Sequence, residues 1–169
     1  METGCIAVSM LSSSRNFLVF GLAGQEFVFP LEKVSEIVHM ATLSRPPGLP
    51  HILEGFLNLE GTAVPVLRLD RLFQASEITT HLYSPLIIVQ AHDGLLAILV
   101  DVVNQILAAS EEAFVPIQKG HTFNDCAEAE LQAKNKIIHL LSLERVLLEE
   151  EHERIREFQM LEQQRLQSL

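Results

Sequence analysis

The chain of 169 residues has no tryptophan and a single tyrosine, and it carries only 12 Lys and Arg against 22 Asp and Glu, a formal charge of −10. The shortage of cations excludes a surface that must neutralise many phosphates, so nucleic acid is not an expected partner. It equally excludes a polybasic membrane anchor. The shortage of large aromatics removes the usual platforms for stacking bases. Two cysteines, Cys5 and Cys126, are too few for a disulfide framework or a thiolate metal set and read as free thiols of a reducing compartment. No run of 18 uninterrupted apolar residues is present, so no spanning helix and no direct membrane insertion are expected. Residues 5–11 are only moderately apolar, with no Lys or Arg before them, which predicts a loose leader over 1–15 rather than a signal peptide. A cytoplasmic protein is the expectation.

Enzyme signatures are missing too. The chain contains no G-x-S-x-G, G-x-x-x-x-G-K, G-x-G-x-x-G, H-E-x-x-H or C-x-x-C. Its seven histidines are scattered, and a metal or catalytic centre would have to be assembled across the fold from His39, His81, His92 and His139. At each of these positions a solvent-facing or internally satisfied imidazole is the ordinary reading. No catalytic residue, cofactor or metal is expected. His139 stands out because it interrupts an apolar strand-like run.

What is present is a β-rich pattern. Residues 17–22 and 25–31 read as two strands around Ala23-Gly24, and 86–91 and 95–100 as two more around Asp93-Gly94. Residues 55–60 and 63–69 flank Gly61-Thr62, with Pro65 implying an edge or a bulge. Residues 32–40, if helical, place Val34, Ile37 and Val38 on one face. A proline-rich loop covers 45–50, a short helical turn covers 70–74, a loop with a short helix is expected over 110–134, and 136–143 reads as the last strand. From Leu143 onward there is neither Gly nor Pro, and a helix is predicted.

The chain also resembles itself. Shifted by 69, residues 17–38 lie over 86–107, with Val34 on Val103 and Ile37 on Ile106. Shifted by 74, residues 61–74 lie over 135–148, with Leu67 on Leu141 and Asp70-Arg71 on Glu144-Arg145. Two similar halves follow, about 17–74 and 86–148, each too small to bury a comfortable core alone.

The stretch Gly55-Phe-Leu-Asn58-Leu-Glu60-Gly61-Thr-Ala-Val-Pro65-Val-Leu-Arg68-Leu-Asp70-Arg71-Leu, set between FLVFGLAGQEFVFPLEKVSEI and ILVDVVNQIL, resembles the CheW family of chemotaxis coupling domains from about Asn16 to Leu148. The corresponding family signature reads G-x-x-N-L-R-G-x-x-x-P-x-x-D-L. The resemblance implies a mainly β fold of two packed small β-barrel subdomains with short helices, and a non-catalytic adaptor. Its implied partners are a chemoreceptor signalling tip and the regulatory domain of a CheA-like histidine kinase. The partner-binding positions it implies are Val34, Glu36 and Ile37, then Asn58 and Glu60, then Val100, Asp101 and Val103 within 100–103. For Val34, Ile37 and Val103, plain core packing is the competing reading.

Two charges depart from the family pattern, whose Arg is Glu60 here and whose Asp is Arg68. The double reversal suggests that Arg68 pairs directly with Glu60 or with Glu36, and adds Arg68 to the candidate site. Residues 149–169 carry six acids and three arginines and place Leu148, Ile155, Phe158, Leu161, Leu166 and Leu169 on one helical stripe. That helix is expected to dock on the domain or to mediate self-association, the sharper alternative being an added partner-binding element. A second functional class, a β-barrel sensor holding an apolar small molecule between the subdomains without a kinase partner, stays open on the sequence.

Overall fold

The computed structural model describes residues 14–118, 120 and 126–168. The expected leader and Cys5 lie outside them apart from Ser14 and Arg15, which already belong to a strand. Five strands, β1 (Ser14–Leu22), β2 (Gln25–Pro30), β3 (Val34–His39), β4 (Leu53–Leu59) and β5 (Thr62–Leu67), lead into a one-turn helix α1 (Leu69–Leu72). Six more follow: β6 (Pro85–Ala91), β7 (Gly94–Leu99), β8 (Val102–Ser110), β9 (Phe114–Pro116), β10 (Ala127–Ala133) and β11 (Lys136–Leu141). The chain then forms the one-turn helix α2 (Leu143–Val146) and the long helix α3 (Glu149–Gln167).

The strands form two sheets, ordered β8-β1-β2-β11-β10-β9 and β3-β6-β7-β5-β4. The internal repeat explains both orders. Shifting by 69 carries β2 onto β7, and shifting by 74 carries β4, β5 and α1 onto β10, β11 and α2 with identical bounds. The first five members of one sheet are thus the repeat images of the five in the other. Each sheet takes its central hairpin from one half of the chain, and its third strand and second hairpin from the other half. Element bounds thus recur between the two halves, yet neither half packs as a unit of its own.

Strand composition follows from this arrangement. Leu18, Phe20 and Leu22 on one face of β1 join a core shared with Ile87, Val89 and Ile98 of the other sheet. Phe17 and Val19 on the opposite face join a separate core with Val28, Leu131 and Ile138. Leu86, Ile88, Ala97 and Leu99 likewise enclose a third core with Leu57 and Val66. Central strands buried on both faces read as continuous apolar runs rather than as alternation, as in FLVF and LIIV. Each sheet curls about its own core: the rings of Phe17 in β1 and Phe114 in β9 lie 4.8 Å apart, although three strands separate them in the hydrogen-bonded order. The sheets are two curled β subdomains packed back to back, and their hydrogen bonding runs from edge to edge without closing a barrel.

Several local expectations change. Residues 32–40 are a 3-10 turn (Leu31–Lys33) followed by β3, because the β-branched run pairs with β6. A register shift between Val34 and Glu36 then directs Val38 inward and leaves Ile37 exposed. Instead of a loop with a short helix, 110–134 holds a 3-10 turn at Glu111–Ala113, β9 and β10, with 119 and 121–125 outside the described residues. The strand expected over 136–143 ends at Leu141, and the helix from Leu143 breaks at Leu147 and Leu148, whose extended ψ angles of 141° and 158° separate α2 from α3.

Arg68 is not paired with Glu60 or Glu36. Only 3 % exposed, its guanidinium donates to both carboxylate oxygens of Asp70 at 2.9 and 2.6 Å, to Glu54 at 3.1 Å and to the Ile78 carbonyl at 2.9 Å. Asp70 also accepts the Ile78 N–H at 2.8 Å, so the pair ties β4, α1 and the following loop together. Two residues apart across the bend that opens α1, Arg68 and Asp70 satisfy each other locally. Burial pushes the Asp70 carboxyl up, but the Arg68 hydrogen bonds and the Ile78 N–H more than offset this and hold it below the usual carboxylate range.

Removing the guanidinium strands a buried carboxylate. Arg68→Ala is expected to lower unfolding stability in urea by about 3–5 kcal/mol. Because Asp70 titrates lower in the folded state than in the unfolded one, its stabilisation is complete above the unfolded carboxylate pKa and is lost as pH falls through the folded value. Asp70→Asn should therefore be less stable at neutral pH, with a shallower loss of stability below about pH 5.

Candidate partner-binding site

The motif that singles out residues 55–61 is a backbone device. A side chain at Gly55 would place its Cβ 2.7 Å from the Ser44 carbonyl, so glycine permits the Ser44–Phe56 bridge. Glu60 and Gly61 have φ of +50° and +88°, the positive pair that a two-residue hairpin between β4 and β5 requires. Asn58 Oδ1 accepts the Gly61 N–H at 2.9 Å and locks that turn. Asn58 and Glu60 are both exposed, and Glu60 projects from the tip.

The remaining candidates lie on the two segments by which the chain passes between sheets. Val34 of β3 sits opposite Val89, and Val103 of β8 sits opposite Phe20. Val89 and Phe20 both belong to the shared inter-sheet core, and Val34 and Val103 pack against its margin from different sheets. Glu36 and Ile37 are exposed on β3, an edge strand. Asp101 is exposed and fixed at both ends: its N–H donates to the Gly21 carbonyl at 2.9 Å, and its carboxylate accepts the Ala23 N–H at 2.8 Å. Val102 is exposed beside it, and a groove of about 660 Å³ runs from these residues over Asn104, Lys136 and Ile137. Val100 is wholly buried, and its N–H donates to the Pro85 carbonyl, so it supports this region from beneath.

The candidates thus divide into an inter-sheet group on β3 and the start of β8, a turn group at Asn58 and Glu60, and the buried Arg68. Ile106 was not among them. It is 59 % exposed on the edge strand β8 and is the repeat image of the exposed candidate Ile37, so the self-alignment already pointed to it. The histidines provide no centre: among the described residues, no three His, Cys, Asp or Glu side chains converge as a metal-ligand set. No helix among them is long and apolar enough to cross a membrane.

Helix α3 docks on the domain through part of the stripe the sequence suggested, rotated toward Gln159 and Gln163. Leu148 and Leu161 are exposed, while Ile155 is buried and Phe158 and Leu166 pack against the inter-sheet core; Leu169 lies outside the described residues. Polar contacts set the face. Gln159 and Gln163 bond the carbonyl and the N–H of Ala63 at 3.0 and 2.9 Å, and Gln163 also donates to the Gly61 carbonyl at 2.8 Å. β7 pairs with β5 only at Val66 and Leu67, so the two glutamines satisfy the edge of β5 that β7 leaves open. At the other end of the helix, Arg156 reaches Asp93 in the β6–β7 turn at 2.7 Å.

A family model described as CheW-like domain matches residues 16–151. The chemotaxis protein CheW of Klebsiella aerogenes is 27 % identical over 116 residues, covering 67 % of this chain and 70 % of that protein. A probable chemotaxis protein CheW of Rhizobium etli is 24 % identical over 147 residues, covering 86 % and 95 %. Among solved structures, the scaffolding protein TtCheW from Thermoanaerobacter tengcongensis matches with a TM-score of 0.74 at 22 % identity, covering 81 % of this chain and 90 % of that one, a likeness of fold. Nearly all of α3 lies beyond the matched residues.

The docking geometry reverses the ordinary ranking of substitutions on an amphipathic helix. Gln163→Ala should destabilise the protein by about 1–3 kcal/mol, because it leaves the Ala63 N–H without a partner. Leu161→Gln should stay within about 0.5 kcal/mol. Paired urea unfolding curves decide the order.

Proposed function

The chain belongs to the CheW-like domain family, and from that premise we propose that it is an adaptor of bacterial chemotaxis-type signalling, coupling chemoreceptor cytoplasmic tips to the regulatory domain of a CheA-like histidine kinase. Proteins of this family are scaffolds rather than catalysts, so the chemistry to be explained is recognition. The observation that carries the reading is the inter-sheet group: Val34 and Val103 border one core from two sheets, and Glu36, Ile37, Asp101 and Val102 are exposed on the same two segments. A receptor tip is a helical hairpin, and a helix docks best on an apolar trough edged by a few polar groups that fix its register. Ile37 and Val102 supply exposed apolar area, Glu36 and Asp101 supply the polar edge, and Asp101 is held in place by two backbone bonds of its own.

Glu60 gives the adaptor a distinct preference. It stands at the tip of a rigid turn where the family pattern has Arg, so the charge presented at that point is reversed and favours a partner with a cation there. The acidic balance of the chain fits the same preference. A cytoplasmic position within receptor assemblies follows from this reading.

Pulldown and calorimetry with a purified receptor tip and a kinase regulatory domain test it. Ile37→Asp and Val102→Asp, both at exposed sites, should weaken receptor-tip binding by at least about tenfold, the scale of a lost interface anchor. Glu60→Arg should change affinity for the cognate partner and flatten its salt dependence. Absence of binding to both partners by the unaltered chain would overturn the proposal.

A further inference from the structure

Each sheet ends in two edge strands, β8 and β9 in one and β3 and β4 in the other. An open edge is a row of unused N–H and C=O groups that pairs with any strand it meets, so proteins shorten, charge or cover it. The edges of β9, β4 and β3 are blunted in these ways. β9 has three residues and ends in Pro116, which has no N–H to offer. The edge of β4 is covered, because Phe56 and Ser44 exchange N–H to carbonyl bonds at 2.8 and 2.9 Å and Arg45 donates to the Glu54 carbonyl at 3.0 Å. β3 has six residues and carries the exposed Glu36 near its middle. β8 is different: it runs for nine residues, VVNQILAAS, with no charged residue and no proline. Beyond its ladder with β1, its backbone has no hydrogen-bond partner among the described residues.

The repeat makes β3 an internal comparison for β8. A shift of 69 lays Val34–His39 over 103–108, and Glu36 and His39 become Gln105 and Ala108. The polar groups that guard one edge are thus neutral or apolar on its image, which also runs one residue further at its start and two at its end. Ile106 is the central residue of β8 and is 59 % exposed. It stands opposite Leu18, whose side chain enters the inter-sheet core, so Ile106 lies at the open rim of that face.

We propose that β8 is a self-association edge, at which two copies of the chain pair β8 with β8 antiparallel about a twofold axis through Ile106. Two six-stranded sheets then become one continuous sheet. In an antiparallel pair, narrow and wide residue pairs alternate, so a twofold axis must pass where a residue faces its own copy. Ile106 is the choice that uses all nine residues of the strand. Val102 then faces Ser110, Asn104 faces Ala108, Gln105 faces Leu107, and the two Ile106 side chains pack on each other. No like charges meet within the pairing, which matters for a chain of −10 whose copies repel wherever acids face each other. Just outside it Asp101 faces Glu111, but Glu111 is already neutralised by Arg15 at 2.8 Å. A second copy is the occupant that fits, because it brings an edge of the same length and the same lack of charge, and pairing leaves neither edge open. A single strand pair is a small interface, so the dimer is reversible. The inference does not rest on the adaptor reading, and of the proposed partner surface it shares only Val102 and Val103, at the start of the strand.

Sedimentation equilibrium of the full chain alone, over a concentration series reaching the millimolar range, tests the proposal and should show monomer and dimer in exchange. Ile106→Glu and Ile106→Lys each set like charges face to face and should each raise the dimer dissociation constant roughly tenfold. A mixture of these two variants sets opposite charges face to face and should dimerise more tightly than either variant alone. That rescue occurs only if position 106 faces its own copy. Gln105→Glu gives β8 the charge that β3 carries, should weaken the dimer in the same direction, and serves if the Ile106 variants fail to fold. A chain that stays monomeric throughout, variants that dimerise as well as the unaltered chain, or a mixture no tighter than its components would each overturn the proposal. Loss of receptor-tip binding in Ile106→Glu, with the unaltered chain monomeric, would also overturn it and would assign Ile106 to the partner surface.

Discussion

The structure depends on one apolar contact, the back-to-back packing of two sheets whose central hairpins come from different halves of the chain. Phe20, Phe27 and Phe29 on one side meet Ile87, Val89 and Ile98 on the other, and every later feature is placed relative to this core. Burial of each such side chain is worth about 1.5–3 kcal/mol, so the shared core outweighs any single polar contact in the molecule. Because each sheet borrows its third strand and second hairpin from the opposite half, this core forms only when both halves are present. The same exchange carries β3 and β8 across from one sheet to the other and leaves Val34 and Val103 on the margin of the contact.

Much of this is legible in the residues, for a definite reason. Doubly buried strands must be apolar on both faces, and runs such as FLVF and LIIV announce them. Turn chemistry is local, so Ala23-Gly24 marks its hairpin, while Gly61-Thr62 and Asp93-Gly94 fall one residue past the turns at Glu60-Gly61 and His92-Asp93. The repeat is legible because the two sheets impose the same burial pattern on both halves. What misled the reading was periodicity over short spans: Val34, Ile37 and Val38 fit a helical face, but pairing with β6 and the register shift after Val34 make the segment a strand. The exchange of strands between halves is a matter of long-range pairing, and no local pattern encodes it.

The candidate site was legible to the same degree. The resemblance located β3, the β4–β5 turn and the start of β8, and the structure explains why Gly55, Asn58 and Gly61 are required at the turn. It could not tell which side chains point outward, so buried Val100 was grouped with exposed Asp101. The paired charge reversals at Glu60 and Arg68 suggested a contact, whereas Arg68 is neutralised two residues away by Asp70 and by Glu54. Helix α3 shows a related limit. Its apolar stripe predicted one docking face, but the open edge of β5 needs hydrogen-bonding side chains, and Gln159 and Gln163 turn the helix to meet it.

Function enters through geometry rather than reactive groups. An adaptor needs a rigid surface whose parts keep their spacing, and the inter-sheet core supplies this by fixing β3 and β8 to a common margin. Docked α3 adds a second fixed feature by holding the Glu60 turn through Gly61 and Ala63. The central claim is that one partner surface spans both sheets at that margin. Hydrogen exchange with and without a purified receptor tip tests it most directly. The account predicts added protection of the amides around Glu36–Ile37 and Asp101–Val103 in parallel. Protection confined to α3, or to only one of the two strands, would contradict it.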